Sequence, residues 1–543
     1  MNKLKCKIKF RVMLVMLVAP IFCSTLAAVD KRSGMTPAKD KPNIIIIMTD
    51  DMGFSDLGCY GGEIETPNLD MLANKGVRFT QFYNAGRCCP TRASLLTGLY
   101  QHQAGIGGMM GDRGAEWPGF RGHLTERCVT FAEVLKTAGY NTYQTGKWHV
   151  GDKKKEWWPL ARGFDHSYSC PQGGGFFFKP SSFKEKRQVV RDTEVLYDQK
   201  NDPPADWYAT DAWTDEGLKF IESEAKENRP FIWYLAHNAP HFPLQAKPQD
   251  IAKYRGKFMQ GWDKLREQRH KRLIDLGIID KQWKLSPREK GIPAWDSLSG
   301  KEKYQQDLRM ASYAAMIDCV DQNVGKIITK LKELNQYDNT LILFLHDNGG
   351  CDAGGAMGEN TGKGTCGTAK SFAYYGACWA NVSNTPFRKY KKYIHEGGIS
   401  TPLIAHWPEG IAKKLQGKLI TEPAHVIDIM ASCVDLSGAT YPTSFKGHAI
   451  IPMEGTSLRP LFEGKSLERN DGLFFEHYGH RGVRRGSWKL VATRQGKWEL
   501  YDMVSDRTEL NDLSSKMPEK VKELSRLYNK WTERCFVQKL KGE

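Results

Sequence analysis

Asn43-Ile44-Ile45-Ile46-Ile47-Met48-Thr49-Asp50-Asp51 is the stretch that decides the architecture. Large apolar, mostly β-branched residues follow one another without polar alternation. Such a run suits a strand covered on both faces, as in a parallel sheet. Residues 231–235 and 341–345 are runs of the same kind. Helical patterns lie between them, over residues 129–138, 210–227 and 250–276. A further amphipathic pattern over 310–334 leads into the third run. This alternation predicts an α/β fold with a large, mostly parallel sheet flanked by helices. Residues 349–380, rich in Gly, Cys, Ala and Thr, read as loops. After about residue 465 the pattern changes. Residues 482–492 and 497–501 predict short strands of a small antiparallel sheet, and 518–531 a closing helix. The expected division is a large domain over 41–465 and a small C-terminal subdomain over 466–543. No internal repeat is present.

The N-terminus follows a different logic. Lys3, Lys5, Lys7, Lys9 and Arg11 precede an apolar stretch over 12–21, and Thr25-Leu26-Ala27-Ala28 offers small residues for cleavage. This is the layout of a secretory signal peptide over 1–28, and it predicts export to the periplasm or the extracellular space. The rest of the chain has no apolar stretch of the roughly 18 residues that a membrane span requires. The 543 residues are 40% hydrophobic and 26% charged, a globular balance and enough for a large and a small domain. Net charge is +16; without the five basic residues of the leader it is about +11, which suits polyanionic partners as well as plain solubility. No nucleic-acid-binding motif accompanies the charge. Gly362-Lys363 lacks the flanking residues of a phosphate loop, which excludes a P-loop NTPase. Of 13 cysteines, two lie in the leader. The remaining odd number leaves one cysteine free for a fate other than a disulfide.

The chemistry gathers at the predicted strand ends. Asp50-Asp51 closes the first strand, and His346-Asp347-Asn348-Gly349-Gly350 closes the strand over 341–345. Ligands of open α/β sheets bind beyond the carboxyl ends of the strands. Carboxylates crowded there need a cation, and all-oxygen donors suit Ca²⁺ or Mg²⁺, although Asp and Asn are also ordinary turn residues. In Cys88-Cys89-Pro90-Thr91-Arg92-Ala93-Ser94-Leu95-Leu96-Thr97-Gly98, Pro90 marks the start of a helix. Cys88 then sits at a helix N-terminus, which favours anions, with Arg92 adding a permanent charge. A buried structural or disulfide-bonded cysteine would read the same way. In Gly146-Lys147-Trp148-His149, Lys147 and His149 share one face if the segment is extended. That pairing suits anion binding and proton transfer, although by itself it is an ordinary feature of exposed surfaces. In Ala239-Pro240-His241-Phe242-Pro243, two prolines hold His241 in a rigid loop.

The run Cys88-Cys89-Pro90-Thr91-Arg92…Thr97-Gly98 resembles the C-x-P-x-R…T-G signature of the formylglycine-dependent sulfatases of the alkaline phosphatase superfamily, with Thr91 where many members have serine. The resemblance extends over residues 43 to about 535 and is arylsulfatase-like. It implies that the domain over 41–465 is catalytic and that Cys88 is oxidised to formylglycine (3-oxoalanine) by a formylglycine-generating maturation enzyme. It further implies one calcium ion held by Asp50, Asp51, Asp347 and Asn348. Gly146-Lys147-Trp148-His149 matches the family's Gly-Lys-x-His element, so Lys147 touches formylglycine and sulfate and His149 assists the final elimination. Ala239-Pro240-His241-Phe242-Pro243 matches A-P-H-x-P, which assigns His241 to the sulfate and leaving group. Tyr390-Lys391, five residues before Glu396-Gly397-Gly398, resembles the last sulfate-binding lysine, Lys391. The run Glu476-His477-Tyr478-Gly479-His480-Arg481 resembles one that borders the substrate pocket, which makes His477, His480 and Arg481 candidate substrate-binding residues.

The reaction so implied is hydrolysis of a sulfate monoester on a sulfated small molecule or glycan. Two other readings share these residues. One is a phospho- or phosphonate monoester hydrolase on the same scaffold. The other is a non-catalytic binder of sulfated glycans in which Cys88 stays a cysteine. Neither the natural substrate nor the oligomeric state is written in the sequence.

Overall fold

In the computed structural model, which describes residues 41–180, 186–227, 229–469 and 471–538, Asn43–Thr49 is a strand buried along its whole length. The leader-like segment 1–28 lies outside the described residues. The strand joins a mixed sheet of eleven strands. In chain order these are β1 (Asn43–Thr49), β2 (Val77–Tyr83), β3 (Asn141–Lys147), β4 (His166–Cys170), β5 (Val189–Arg191), β6 (Glu194–Tyr197), β7 (Phe231–Ala236), β8 (Thr340–His346), β9 (Ser400–His406), β10 (Lys418–Ile420) and β11 (Ala424–His425). The spatial order is β10-β2-β9-β8-β1-β7-β3-β4-β5-β6, and β11 pairs with β2.

The centre, β8-β1-β7-β3-β4, is parallel throughout. Its register sets Met48 opposite Ala236, Thr49 opposite His346, and Gly146 opposite Ala236. All these strands therefore end along one edge. The flanks depart from the parallel pattern: β9 runs antiparallel to both β8 and β2, and β5 is antiparallel to β4 and β6.

The apolar run of β1 feeds two cores, because successive side chains of a strand point to opposite faces. Ile45 and Ile47 pack with Trp233, Leu235, Ile342 and Phe344 on one face. Ile44, Ile46 and Met48 pack with Ile232, Tyr234, Leu341 and Leu343 on the other. The first face is covered by a helix of 34 residues, Gly300–Glu333. It starts ten residues ahead of the predicted pattern because Ser299 and Glu302 form a capping box. The other face carries Cys88–Thr97 and Ile427–Ser437.

Two predicted elements are corrected. The pattern over 250–276 is two helices, Pro248–Tyr254 and Trp262–Asp275, with the chain turning between them at Gly256 and Gly261, both at positive φ. The stretch 482–492 is a hairpin of two strands turning at Gly486, also at positive φ. The loop region 349–380 holds one further helix, Gly376–Ser383.

The small sheet has four antiparallel strands, Leu473–His477, His480–Arg485, Trp488–Ala492 and Glu499–Asp502. It packs with the helix Pro518–Arg534 through Phe474, Val483, Leu490 and Trp531. A buried ionic cluster ties it to the large sheet. Lys489 Nζ donates to Glu396 Oε1 at 2.8 Å, Arg507 Nε donates to Glu396 Oε2 at 2.9 Å, and Arg507 also donates to the Thr80 carbonyl at 2.6 Å. Among the described residues no helix is long and apolar enough to cross a membrane.

Candidate active site

The common edge of the parallel strands gathers the candidates. Asp50 and Asp51 follow β1, Asp347 and Asn348 follow β8, Lys147 ends β3, and His241 lies in the loop after β7. Cys88 is the first residue of the helix Cys88–Thr97, with Arg87 as its N-cap and Pro90 in its third position. Gly146 is required where it stands: a Cβ there would lie 2.0 Å from the Ala236 carbonyl oxygen, and its φ is +93°. That close approach of β3 to β7 sets the position of Lys147. Asp51 and His149 both hold positive φ, +65° and +61°. Such backbones cost about 1–2 kcal/mol each in a non-glycine residue and persist where surrounding contacts fix them.

Cations and carboxylates interleave in the buried layer. Lys147 Nζ lies 2.5 Å from Asp50 Oδ2. Arg92 Nη2 donates to Asp347 Oδ2 at 2.7 Å and its Nη1 to the Lys147 carbonyl at 3.1 Å. Lys391 pairs with Asp51 Oδ1, which also accepts from Asn348 Nδ2 at 2.7 Å. His241 Nδ1 donates to the Phe242 carbonyl at 2.5 Å, and its Nε2 stands 3.5 Å from Asp51 Oδ2.

Three acceptor oxygens at this edge are buried without a hydrogen-bond partner among the described residues: Asp50 Oδ1, Asp51 Oδ2 and Asn348 Oδ1. Burying such groups unpaired is costly, and a hard cation among them removes the cost. Asp50, Asp51 and His241 place ligand atoms within 4.8 Å of one another. The electrostatics agree. Burial would push the Asp50 carboxyl up, but Lys147, His241, Arg92 and Lys391 together hold it well below the usual range. Asp347 is pushed well up by burial and by the charge of Asp50, against the pull of Arg92. Arg92 Nη2 already lies between the two, 2.7 Å from Asp347 Oδ2 and 4.0 Å from Asp50 Oδ2, and a further cation would favour the ionised form of both. An all-oxygen donor set of this kind fits calcium.

Above this layer opens a cleft of about 510 Å³ lined by Cys88, His149, His241 and Lys391, and also by Arg87, Met109, Met110, Lys186, Arg187 and Lys392. The Cys88 thiol is drawn well below its ordinary range by a hydrogen bond from Cys89 and, against the effect of burial, by Lys147, His149 and Lys391. His149 is lowered to about 4, chiefly by burial and then by Lys147, so its ring is neutral near pH 7. His241 is lowered by burial against the pull of Asp51 and Asp50.

The structure thus brings together Cys88, Arg92, Lys147, His149, His241 and Lys391 around Asp50, Asp51, Asp347 and Asn348. His477, His480 and Arg481 are not among the residues that line the cleft, although His477 lies close enough to Arg87 and Cys88 to feel their charge. His477 is buried in its strand. His480 packs edge-on against Tyr393 at 4.7 Å. Arg481 lies over the Trp498 ring at 4.6 Å and lines a separate cleft of about 330 Å³. Sequence reasoning missed Arg87, Lys186, Arg187 and Met109. Arg87 adjoins Cys88 and could have been found as the helix N-cap. The others lie in loops and carry no periodic signal.

Comparison with known proteins gives a consistent result. A family model described as Sulfatase matches residues 42–439, and one described as N-sulphoglucosamine sulphohydrolase, C-terminal, matches 387–534. An arylsulfatase of Klebsiella aerogenes is 34% identical over 442 residues, covering 79% of this chain and 94% of that one. An N-acetylglucosamine-6-O-sulfatase of Bacteroides thetaiotaomicron is 27% identical over 532 residues, covering 86% and 81%. The crystal structure of Ps i-CgsB in complex with k-i-k-neocarrahexaose superposes with a TM-score of 0.65 at 27% identity, covering 91% and 93%.

Proposed function

Because the chain belongs to the sulfatase family, within the alkaline phosphatase-like superfamily, and is a sulfuric ester hydrolase, we propose that it hydrolyses sulfate esters of carbohydrates at the Cys88 cleft, with Cys88 converted to formylglycine and one calcium ion bound by Asp50, Asp51, Asp347 and Asn348. The observation that carries this reading is the orphaned trio Asp50 Oδ1, Asp51 Oδ2 and Asn348 Oδ1 beneath the helix end that bears Cys88. The sugar preference is supported by the N-acetylglucosamine-6-O-sulfatase and the neocarrahexaose complex among the similar proteins. The basic and apolar run over 1–28 supports export to the periplasm or beyond.

When bound, the calcium and the hydrated aldehyde supply a Lewis acid and a nucleophilic oxygen. The side chains of the chain itself do the rest. Arg92, Lys147 and Lys391 are fixed cations in a water-poor pocket, and they stabilise the charge that grows on the outer sulfate oxygens. The N-terminal amides of the helix Cys88–Thr97 add to that field. His241, with Nδ1–H engaged by the Phe242 carbonyl, presents Nε2 to the leaving oxygen and, once Nε2 has taken up a proton, gives that proton to it. His149, neutral and at the cleft wall, takes the proton whose removal restores the starting residue.

The test is turnover of an aryl sulfate beside the matching aryl phosphate, with protein co-expressed with a formylglycine-generating enzyme. Sulfate release that is lost in Cys88→Ala and on calcium chelation supports the reading. Faster phosphate release from a converted chain would replace it.

A further inference from the structure

Cys89 has no part in the chemistry above, yet it is fully buried next to Cys88, which lines the cleft. Ligand atoms of Cys88, Cys89 and His149 all lie within 4.8 Å of one another. One ion with bonds of about 2.3 Å bridges such spacings. The Sγ of Cys89 is 3.8 Å from the thioether sulfur of Met109. His149 is 4% exposed, and its Nδ1 has no hydrogen-bond partner among the described residues. Cys88 and Met109 both line the open cleft, so an ion has a path in from solvent. We propose that the unmodified chain binds one copper(I) ion through the thiolates of Cys88 and Cys89 and the ring of His149, with the Met109 thioether completing the set.

Donor softness and charge choose the ion. Thiolate and thioether together select Cu(I) over hard cations. Two protons leave the thiols, no electron moves, and the resulting bis-thiolate copper(I) unit keeps one negative charge. Lys391 and Arg87 line the same cleft and offset it. A zinc ion on the same two thiolates would be neutral and would draw nothing from that positive field. The calcium-type oxygen cluster of Asp50, Asp51, Asp347 and Asn348 is a separate set of donors and does not line the cleft. Oxidation of Cys88 removes its sulfur, so copper binding and maturation compete for one residue. That consequence rests on the formylglycine reading of Cys88; the binding itself does not.

The experiment uses full-length protein made without a formylglycine-generating enzyme, with the sulfur of residue 88 verified by peptide mass. Cu(I) is titrated without oxygen against bicinchoninate as the competing chromophore. Other cysteines are present, so the readout is a difference between variants. The native chain withdraws one more equivalent than Cys89→Ser, and Met109→Leu, which keeps the packing volume, weakens that equivalent several-fold. X-ray absorption at the copper edge shows sulfur with nitrogen in the native chain. Equal uptake by the native chain and Cys89→Ser overturns the proposal, as does displacement of the copper by equimolar Zn²⁺. Cys89→Ala, verified as folded by its melting curve, gives the same comparison if the serine variant fails to fold. A chain that binds copper this way but never acquires formylglycine leaves the site intact and removes only the formylglycine reading of Cys88.

Discussion

Lys147, the last residue of β3, reaches past β7 to place its Nζ 2.5 Å from Asp50 Oδ2 at the end of β1. The pair joins the cations proposed to hold sulfate to the carboxylates proposed to hold calcium, so neither layer is independent of the other. Lys147→Ala removes a fixed cation from the oxygens that gain charge. Its kcat on an aryl sulfate is expected to fall by about 10²–10³-fold, measured with the residue-88 conversion matched to the native enzyme. A loss under tenfold would place Lys147 outside the reacting centre.

The orphaned oxygens give a prediction that needs no turnover. Calcium raises the melting temperature of the native chain, since an ion that binds only the folded state stabilises it by about 2.7 kcal/mol at a hundredfold excess over Kd. Asn348→Ala deletes one of the three unpartnered oxygens and is expected to need at least tenfold more calcium for the same rise. A calcium response unchanged in Asn348→Ala would contradict the assigned donor set.

His149 is the proposed base of the last step. In His149→Ala the first turnover is expected to release aryl alcohol at a near-native rate, one equivalent per converted chain, with later turnovers slowed by about 10²-fold or more. Because burial and Lys147 hold its ring near 4, the base form persists down to that pH. The steady-state rate of the native enzyme should therefore keep its His149-dependent part until about pH 4 and lose it below. Rapid-quench kinetics with no burst in the variant would refute this role.

Glu396 yields a stability prediction with a defined sign. Its carboxyl is fully buried, and Lys489, Arg507 and Arg484 outweigh the burial and hold it at about 2 against an ordinary 4.5. A folded value below the unfolded one contributes stability above about 4.5 that is lost as pH falls toward 2, on the order of 3 kcal/mol in full. Tyr83 and Glu509 complete the surroundings: Tyr83 donates to Glu396 Oε2 at 3.1 Å, and Glu509 also pairs with Lys489 at 2.8 Å. Glu396→Gln should lower the melting temperature at pH 7, and the gap should close as pH drops from about 5 to 2. A gap independent of pH would contradict the linkage.

The sequence exposed some of these features more readily than others. The β1 run was legible because a strand buried on both faces has no polar alternation. β9 was not, because Ser400-Thr401-Pro402-Leu403-Ile404-Ala405-His406 carries a proline, which argues against an inner strand. The sheet accommodates it at a register shift between Phe79 and Phe82 of β2. β2 hides for a related reason: Arg78 is buried there, with its guanidinium donating to the Cys59 carbonyl at 2.9 Å. In the site, the cysteine motif stood out by its spacing, whereas the strand-end acids, ordinary turn residues by themselves, gained their reading from the resemblance that motif carries. Met109 and Lys186 reach the cleft from distant loops, and only the tertiary fold brings them there.

The most direct test of the account is one sample read two ways. Protein co-expressed with a formylglycine-generating enzyme is digested and the residue-88 peptide weighed, while the same batch is assayed for sulfate and phosphate release. The account predicts an aldehyde in place of the Cys88 thiol, and sulfate release in proportion to the converted fraction. Sulfate turnover at full rate from chains that keep the Cys88 sulfur would contradict it.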